Sequence, residues 1–322
     1  MSQQTYVVRR IGAGVVAGVL LLLGGFGVVK AVDALGGGGG RDDDESSPTT
    51  PARPVVTVTS PATSPMTSSP GTEVTDPVIA AATTQPPSTP PPSVAPPPSS
   101  TAPANVLVVG DSDAAAFGPY LKERLDATGV AVTTVDYKVS SGLARPDFYD
   151  WTARLAETLP ASDPDIVVVT FGGNDAQGLS NADGSNPVEW NDPVNATETW
   201  SPEYTRRAGE MMDLLGEGGR TVVWVGIPND DQPEMTERLA VQDAAVRAAL
   251  ATRPTVQFVD TWKRFSSPNG GWAEYVVDPR DGVGKDVRAD DGFHLNQNGA
   301  EILALDIADV VTADLRARGA AL

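Results

Sequence analysis

The chain has 322 residues and no cysteine. That excludes thiol nucleophiles, thiolate metal sites and disulfides together, and it leaves folding to a packed core alone. Histidine is nearly missing as well, since His294 is the only one. One imidazole without a thiolate argues against a catalytic zinc site, which takes three protein ligands. Basic residues are scarce: 23 Lys and Arg face 42 Asp and Glu, a formal net charge of −19. Such a chain is a poor partner for nucleic acid, whose phosphates demand Lys and Arg patches. Its acidity speaks for solubility and identifies no substrate. No Gly-x-Ser-x-Gly elbow occurs, which argues against the α/β-hydrolase fold. The acidic stretch from Asp278 to Asp291 lacks the spacing of an EF-hand and reads as a solvated, site-bordering loop.

What is present is unevenly placed. Ile11 to Val29 is an uninterrupted apolar run, about the length a helix needs to cross a bilayer. Arg9 and Arg10 precede it and acidic residues follow, so the charge bias puts residues 1–10 in the cytoplasm, a signal-anchor at 11–29, and the rest outside. Cleavage after a small-residue site near Val32 and Ala34 is the competing reading, and it exports the same domain. Gly12, Gly14 and Ala17 imitate a dinucleotide fingerprint, but no strand precedes them. Gly14 and Gly18 have the spacing that lets two membrane helices pack closely. Sixteen of the 28 prolines fall between Arg41 and Ala104, so residues 30–104 read as a Gly-rich and then Pro/Ser/Thr-rich disordered linker.

From Asn105 to Leu322 the pattern is that of one folded domain. Apolar β-rich runs at Val106–Val109, Val130–Val135, Ile166–Phe171, Thr221–Gly226 and Val256–Val259 predict five strands. Helical spacing at Pro119–Thr128, Trp151–Leu159, Pro202–Leu215, Glu237–Ala251 and Ala300–Arg318 predicts the elements between and after them. Alternation of this kind builds an α/β fold, a parallel sheet with helices on both faces, and ligands then bind beyond the carboxyl ends of the strands.

Three groups of residues sit at such ends. The first strand runs into Gly110-Asp111-Ser112, where a hydroxyl near the positive end of a helix suits a nucleophile, although Ser is also a preferred helix cap. The third runs into Gly172-Gly173-Asn174-Asp175, where the Asn amide suits an oxyanion donor, although the same residues suit a plain turn. His294 closes Asp290-Asp291-Gly292-Phe293-His294 before the last helix, and Asp291 is placed to hold the tautomer that accepts a Ser proton.

Gly110-Asp111-Ser112, Gly172-x-Asn174-Asp175 and Asp291-x-x-His294 resemble blocks I, III and V of the SGNH/GDSL hydrolase superfamily, in the family's order. The resemblance covers residues 105–322 and implies a flavodoxin-like three-layer α/β/α sandwich with a five-stranded parallel sheet, a Ser-His-Asp catalytic group and no cofactor. Ser112 would be the nucleophile, His294 the base and Asp291 its orienting partner. The oxyanion hole would be the Ser112 N–H, the N–H of Gly142 as the block II glycine, and the Asn174 amide. The sequence departs from the four-letter signature at Asp113, where the family has Leu. Ser141 to Trp151, Trp224 to Pro228 and Arg288 to His294 resemble a poorly characterised, envelope-associated bacterial branch.

The expected function is that of an extracytoplasmic serine esterase removing small acyl groups, O-acetyl foremost, from a cell-envelope glycan. An O-acyltransferase using the same acyl-enzyme, and a non-catalytic glycan-binding domain, are the alternatives. The segment from Gln177 to Ser201 shows no clear periodicity, and a loop of that length is usually functional or mobile. Trp190, Trp200 and Trp272 fall in predicted loops, where they suit sugar stacking but more often pack into a core or rim.

Overall fold

A computed structural model describes residues 96–190 and 196–322. Residues 1–10, expected to be cytoplasmic, the expected membrane span at 11–29 and nearly all of the expected linker lie outside the described residues. Among the described residues no helix is long and apolar enough to cross a membrane.

Five strands form one sheet: β1 (Ala104–Gly110), β2 (Ala131–Tyr137), β3 (Ile166–Thr170), β4 (Thr221–Val225) and β5 (Gln257–Val259). All neighbours pair in parallel, in the order β2-β1-β3-β4-β5. This is the flavodoxin-like order, and it reverses direction between β1 and β3. Each predicted strand is present with its ends moved by no more than two residues. β1 starts one residue inside the expected linker, because Ala104 is buried and its N–H reaches Val130 O at 2.9 Å.

Alternate residues of the strands feed two cores. Val106, Val108, Ile166, Val168, Val223 and Val225 face α1 (Ser112–Asp126) and a long final helix, here α6 (Gln297–Ala317). Leu107, Val109, Val167, Val169, Val222 and Trp224 face α2 (Trp151–Ser162), α3 (Ser201–Gly216) and α4 (Pro233–Ala251). Nearly all of these strand side chains are within 2% of complete burial, which is why β1, β3 and β4 read as unbroken apolar runs and show no alternation.

Differences from the sequence reading have local causes. α1 begins seven residues before the predicted start at Pro119, because the Asp111 carboxylate caps it by accepting from Asp113 N at 3.0 Å. Pro119 is tolerated inside the helix, on its exposed side. A short helix α5 (Thr261–Arg264) and an antiparallel hairpin, β6 (Tyr275–Val277) with β7 (Gly284–Asp286), have no sequence signal, being three or four residues long.

The segment from Gln177 to Ser201 is tethered where it is described. Leu179 and Trp200 are fully buried, Leu179 N donates to Val188 O at 2.8 Å, and Trp200 stacks on Tyr204 with ring centroids 4.5 Å apart. A π-helical turn at Ala196–Trp200 leads into α3. Trp200 is therefore core, and half-buried Trp190 packs edge-on against it at 4.9 Å. Trp272 fixes a loop instead, donating its indole N–H to Gly292 O at 2.7 Å.

Candidate active site

The carboxyl ends of β1 and β3 flank the point where the strand order reverses, and the turns that follow them are stitched together by one side chain. Asp111 is completely buried; its Oδ1 caps α1, and its Oδ2 accepts from Gly172 N at 3.0 Å and Gly173 N at 3.2 Å. Burial, then the nearby Asp113 charge, push this carboxyl well above the usual range, while the backbone donors pull it down. Gly110 is required beneath it: its φ is +156°, and a Cβ there would lie 2.3 Å from Thr170 O. With Asp111 as the cap, Ser112 is the first residue of α1, and its hydroxyl is free of a capping role.

That hydroxyl meets the lone imidazole. Ser112 Oγ lies 2.8 Å from His294 Nε2, and His294 Nδ1 lies 2.6 Å from Asp291 Oδ2. Asp291 Oδ1 accepts from His294 N at 2.9 Å and Phe293 N at 3.1 Å, so one carboxylate holds both the ring and the backbone that carries it. With Nδ1–H donated to Asp291, Nε2 is left as the acceptor for the Ser112 proton. Burial pulls His294 down, but the Asp291 hydrogen bond and the charges of Asp113, Asp291 and Asp111 outweigh it, raising the pKa to about 9. Asp291, hydrogen-bonded to the ring, falls to about 2.

The loop bearing His294 is anchored by Arg288, which is 5% exposed. Its guanidinium donates to the carbonyls of Ala273, Asn229, Phe293 and Phe265 and to Asn229 Oδ1, at 2.7 to 3.2 Å. Desolvation lowers Arg288 to about 10. The loop is thereby tied to the segments following β4 and α5.

Gly142 and Asn174 come together through the loop after β2. Asn174 Nδ2 donates to Ser141 O at 3.2 Å, which sets its amide against the residue preceding Gly142 and leaves its second N–H uncommitted by that bond. Asp175, 1% exposed, accepts from Leu143 N at 2.7 Å, Ala144 N at 2.9 Å and Tyr204 Oη–H at 2.7 Å. A Cβ at residue 142 would lie 2.0 Å from Asp175 Oδ1, so only glycine fits where the two loops touch. Trp151 Nε1 donates to Ser141 Oγ at 2.8 Å, and Arg207 donates to Leu143 O at 3.0 Å, closing the loop from α2 and α3.

Ser112 and Asn174 thus lie on the turns after β1 and β3, Gly142 on the loop after β2, and Asp291 and His294 on the loop before α6. The sequence alone gives no role to the buried supports Asp111, Asp175, Arg288 and Tyr204. Asp111 and Asp175 each lie beside an assigned residue, within the motifs that drew attention, and Arg288 opens the His294 motif. Tyr204, in a helix remote in sequence, carries no such signal.

No curated protein matches the sequence. Among solved structures the chain is similar to an acetylxylan esterase from Geobacillus stearothermophilus, with 17% identity over 68% of this chain and 95% of that one and a TM-score of 0.44. It is also similar to a GDSL-like lipase from Bacteroides thetaiotaomicron, with 14% identity over 66% and 89% of the two chains and a TM-score of 0.43. The match to a family model runs from residue 105 to 310, from the start of β1 into α6, and the chain belongs to the family described as protein of unknown function DUF459.

Proposed function

We propose that this protein is a serine ester hydrolase of the SGNH type that removes small acyl groups, acetyl foremost, from an O-acylated glycan outside the cytoplasmic membrane. The observation that carries the reading is the unbroken chain from Ser112 Oγ through the His294 ring to Asp291, at 2.8 and 2.6 Å. His294 Nε2 takes the Ser112 proton as Oγ attacks the ester carbonyl. The alcohol leaves with that proton, and water, activated in the same way, releases the acid from the acyl-enzyme. The oxyanion is met by the Ser112 and Gly142 N–H groups and the Asn174 amide.

Charge narrows the substrate. Asp111, Asp113 and Asp291 act on His294, Asp230 and Asp231 lie near Arg288, and that guanidinium is spent on carbonyl and amide oxygens. A neutral acyl group is favoured in such a field, and the carboxylate product is repelled from it. The glycan and the location rest on the apolar run at Ile11–Val29 and the long Pro-rich spacer, which hold a tethered domain within reach of the envelope.

Incubation of the protein with O-acetylated oligosaccharides tests the substrate. Acetate released to water supports the hydrolase; acetate moved to a second sugar hydroxyl makes the protein an acyltransferase; neither, with aryl esters still turned over, removes the glycan from the proposal. Two further results are expected. Asn174→Ala loses one oxyanion donor and slows kcat by roughly 10² to 10³-fold in a folded protein. Because the base must be neutral, kcat/KM rises with pH and reaches half its plateau near the His294 value of about 9; a profile flat from pH 6 to 9 would contradict this.

A further inference from the structure

Asp113 departs from the family signature, and nothing in the mechanism above uses it. It follows Ser112 in the first turn of α1, is 6% exposed, and its Oδ2 is buried with no hydrogen-bond partner. An unpartnered buried carboxylate oxygen is costly and calls for a compensating charge. The packing around that oxygen leads towards the imidazole. A Cβ at Gly173 would sit 3.6 Å from Asp113 Oδ2 and 2.9 Å from Phe293 Cε1, so the carboxylate and the Phe293 ring converge over the oxyanion turn. The Phe293 ring in turn packs edge-on against the His294 ring, with centroids 5.1 Å apart.

Resting on the serine-hydrolase reading, we infer that Asp113 is a positioning residue, a second carboxylate that stabilises the His294 imidazolium through space, on the nucleophile's side of the ring, while Asp291 holds the other side by hydrogen bond. The charges that act most strongly on His294 are Asp111 and Asp113 from the nucleophile turn and Asp291 from its own loop; those that act most strongly on Asp113 are His294, Arg288 and Asp291. Burial raises the Asp113 carboxyl, and His294 and Arg288 pull it back. A Leu at this position fills space but offers no charge. The imidazolium formed as Ser112 attacks therefore gains a partner that the usual signature does not supply.

A single histidine makes the test direct, since one imidazole signal in the NMR spectrum needs no assignment. The signal is titrated in the full protein and in Asp113→Asn and Asp113→Leu, with Asp291→Asn as a control, and kcat and KM are measured alongside. The inference predicts a midpoint about 1 pH unit lower in both Asp113 variants, an acid limb of kcat/KM displaced by the same amount, and a plateau kcat down by up to about tenfold at unchanged KM. A midpoint unmoved in the Asp113 variants while Asp291→Asn moves it would overturn the inference. So would a wild-type midpoint at or below the ordinary imidazole value of about 6.5, whether or not the variants fold. The titration needs no turnover. Loss of the esterase reading would appear as absent activity with the shift intact, whereas loss of this inference would appear as activity without the shift.

Discussion

Ser112→Ala is expected to lose turnover of short acyl esters by roughly 10⁴ to 10⁶-fold, and His294→Ala by a similar factor, with the double variant little worse than either. The non-additivity follows from the geometry. Ser112 Oγ and His294 Nε2 share one proton across 2.8 Å, and without the imidazole the hydroxyl is an alcohol of ordinary acidity. Without the hydroxyl, the imidazole has nothing to deprotonate but water. Folding should survive both changes: Ser112 and His294 are only partly buried, and Asp111, not Ser112, caps the helix. Residual activity should come from the oxyanion donors, which neither substitution touches. Steady-state rates with p-nitrophenyl acetate and circular dichroism of the three variants check the result; near-additive losses would break the shared-proton mechanism.

Asp175→Ala is expected to cost about 3 kcal/mol of stability and to lower kcat as well. The carboxylate is the acceptor for two backbone N–H groups of the Gly142 loop and for the Tyr204 hydroxyl, all buried. Removing it leaves three donors unpaired where water has little access, and it opens a void at the contact with Gly142. The loop that carries Gly142 and receives the Asn174 amide then loosens, so the damage is expected to reach the proposed oxyanion hole although Asp175 is not part of it. Urea unfolding gives the stability change from the midpoint at constant m. A midpoint within about 0.5 kcal/mol of the parent would mean that the loop is held by Trp151 and Arg207 instead.

These two cases mark how far the sequence carries. β1, β3 and β4 are legible because a strand buried on both faces is apolar along its buried run, and Val106–Val109, Ile166–Val169 and Val222–Val225 are. Ser112, Asn174 and His294 are legible because each belongs to a motif placed at a strand's carboxyl end or before the last helix. The roles of Asp111 and Asp175 are not, because each carboxylate serves backbone N–H groups 31 to 62 residues away, and a donor on the main chain leaves no trace in the side-chain alphabet. The start of α1 is hidden for a related reason: the cap that sets it is the same Asp111, whose second oxygen is committed to the β3 turn. Asp113 stands out in the sequence only as a mismatch, and its meaning depends on a ring brought in from 181 residues further along the chain.

The central claim is that Ser112 is a nucleophile activated by the only histidine. Labelling with a fluorophosphonate, which phosphonylates activated serines and spares ordinary ones, tests it most directly when the adduct is located by mass spectrometry. The account predicts one adduct, on Ser112, forming faster as pH rises toward 9 and at least about 10³-fold more slowly in His294→Ala. An adduct on another residue, or labelling of Ser112 at the same rate without the imidazole, would contradict it.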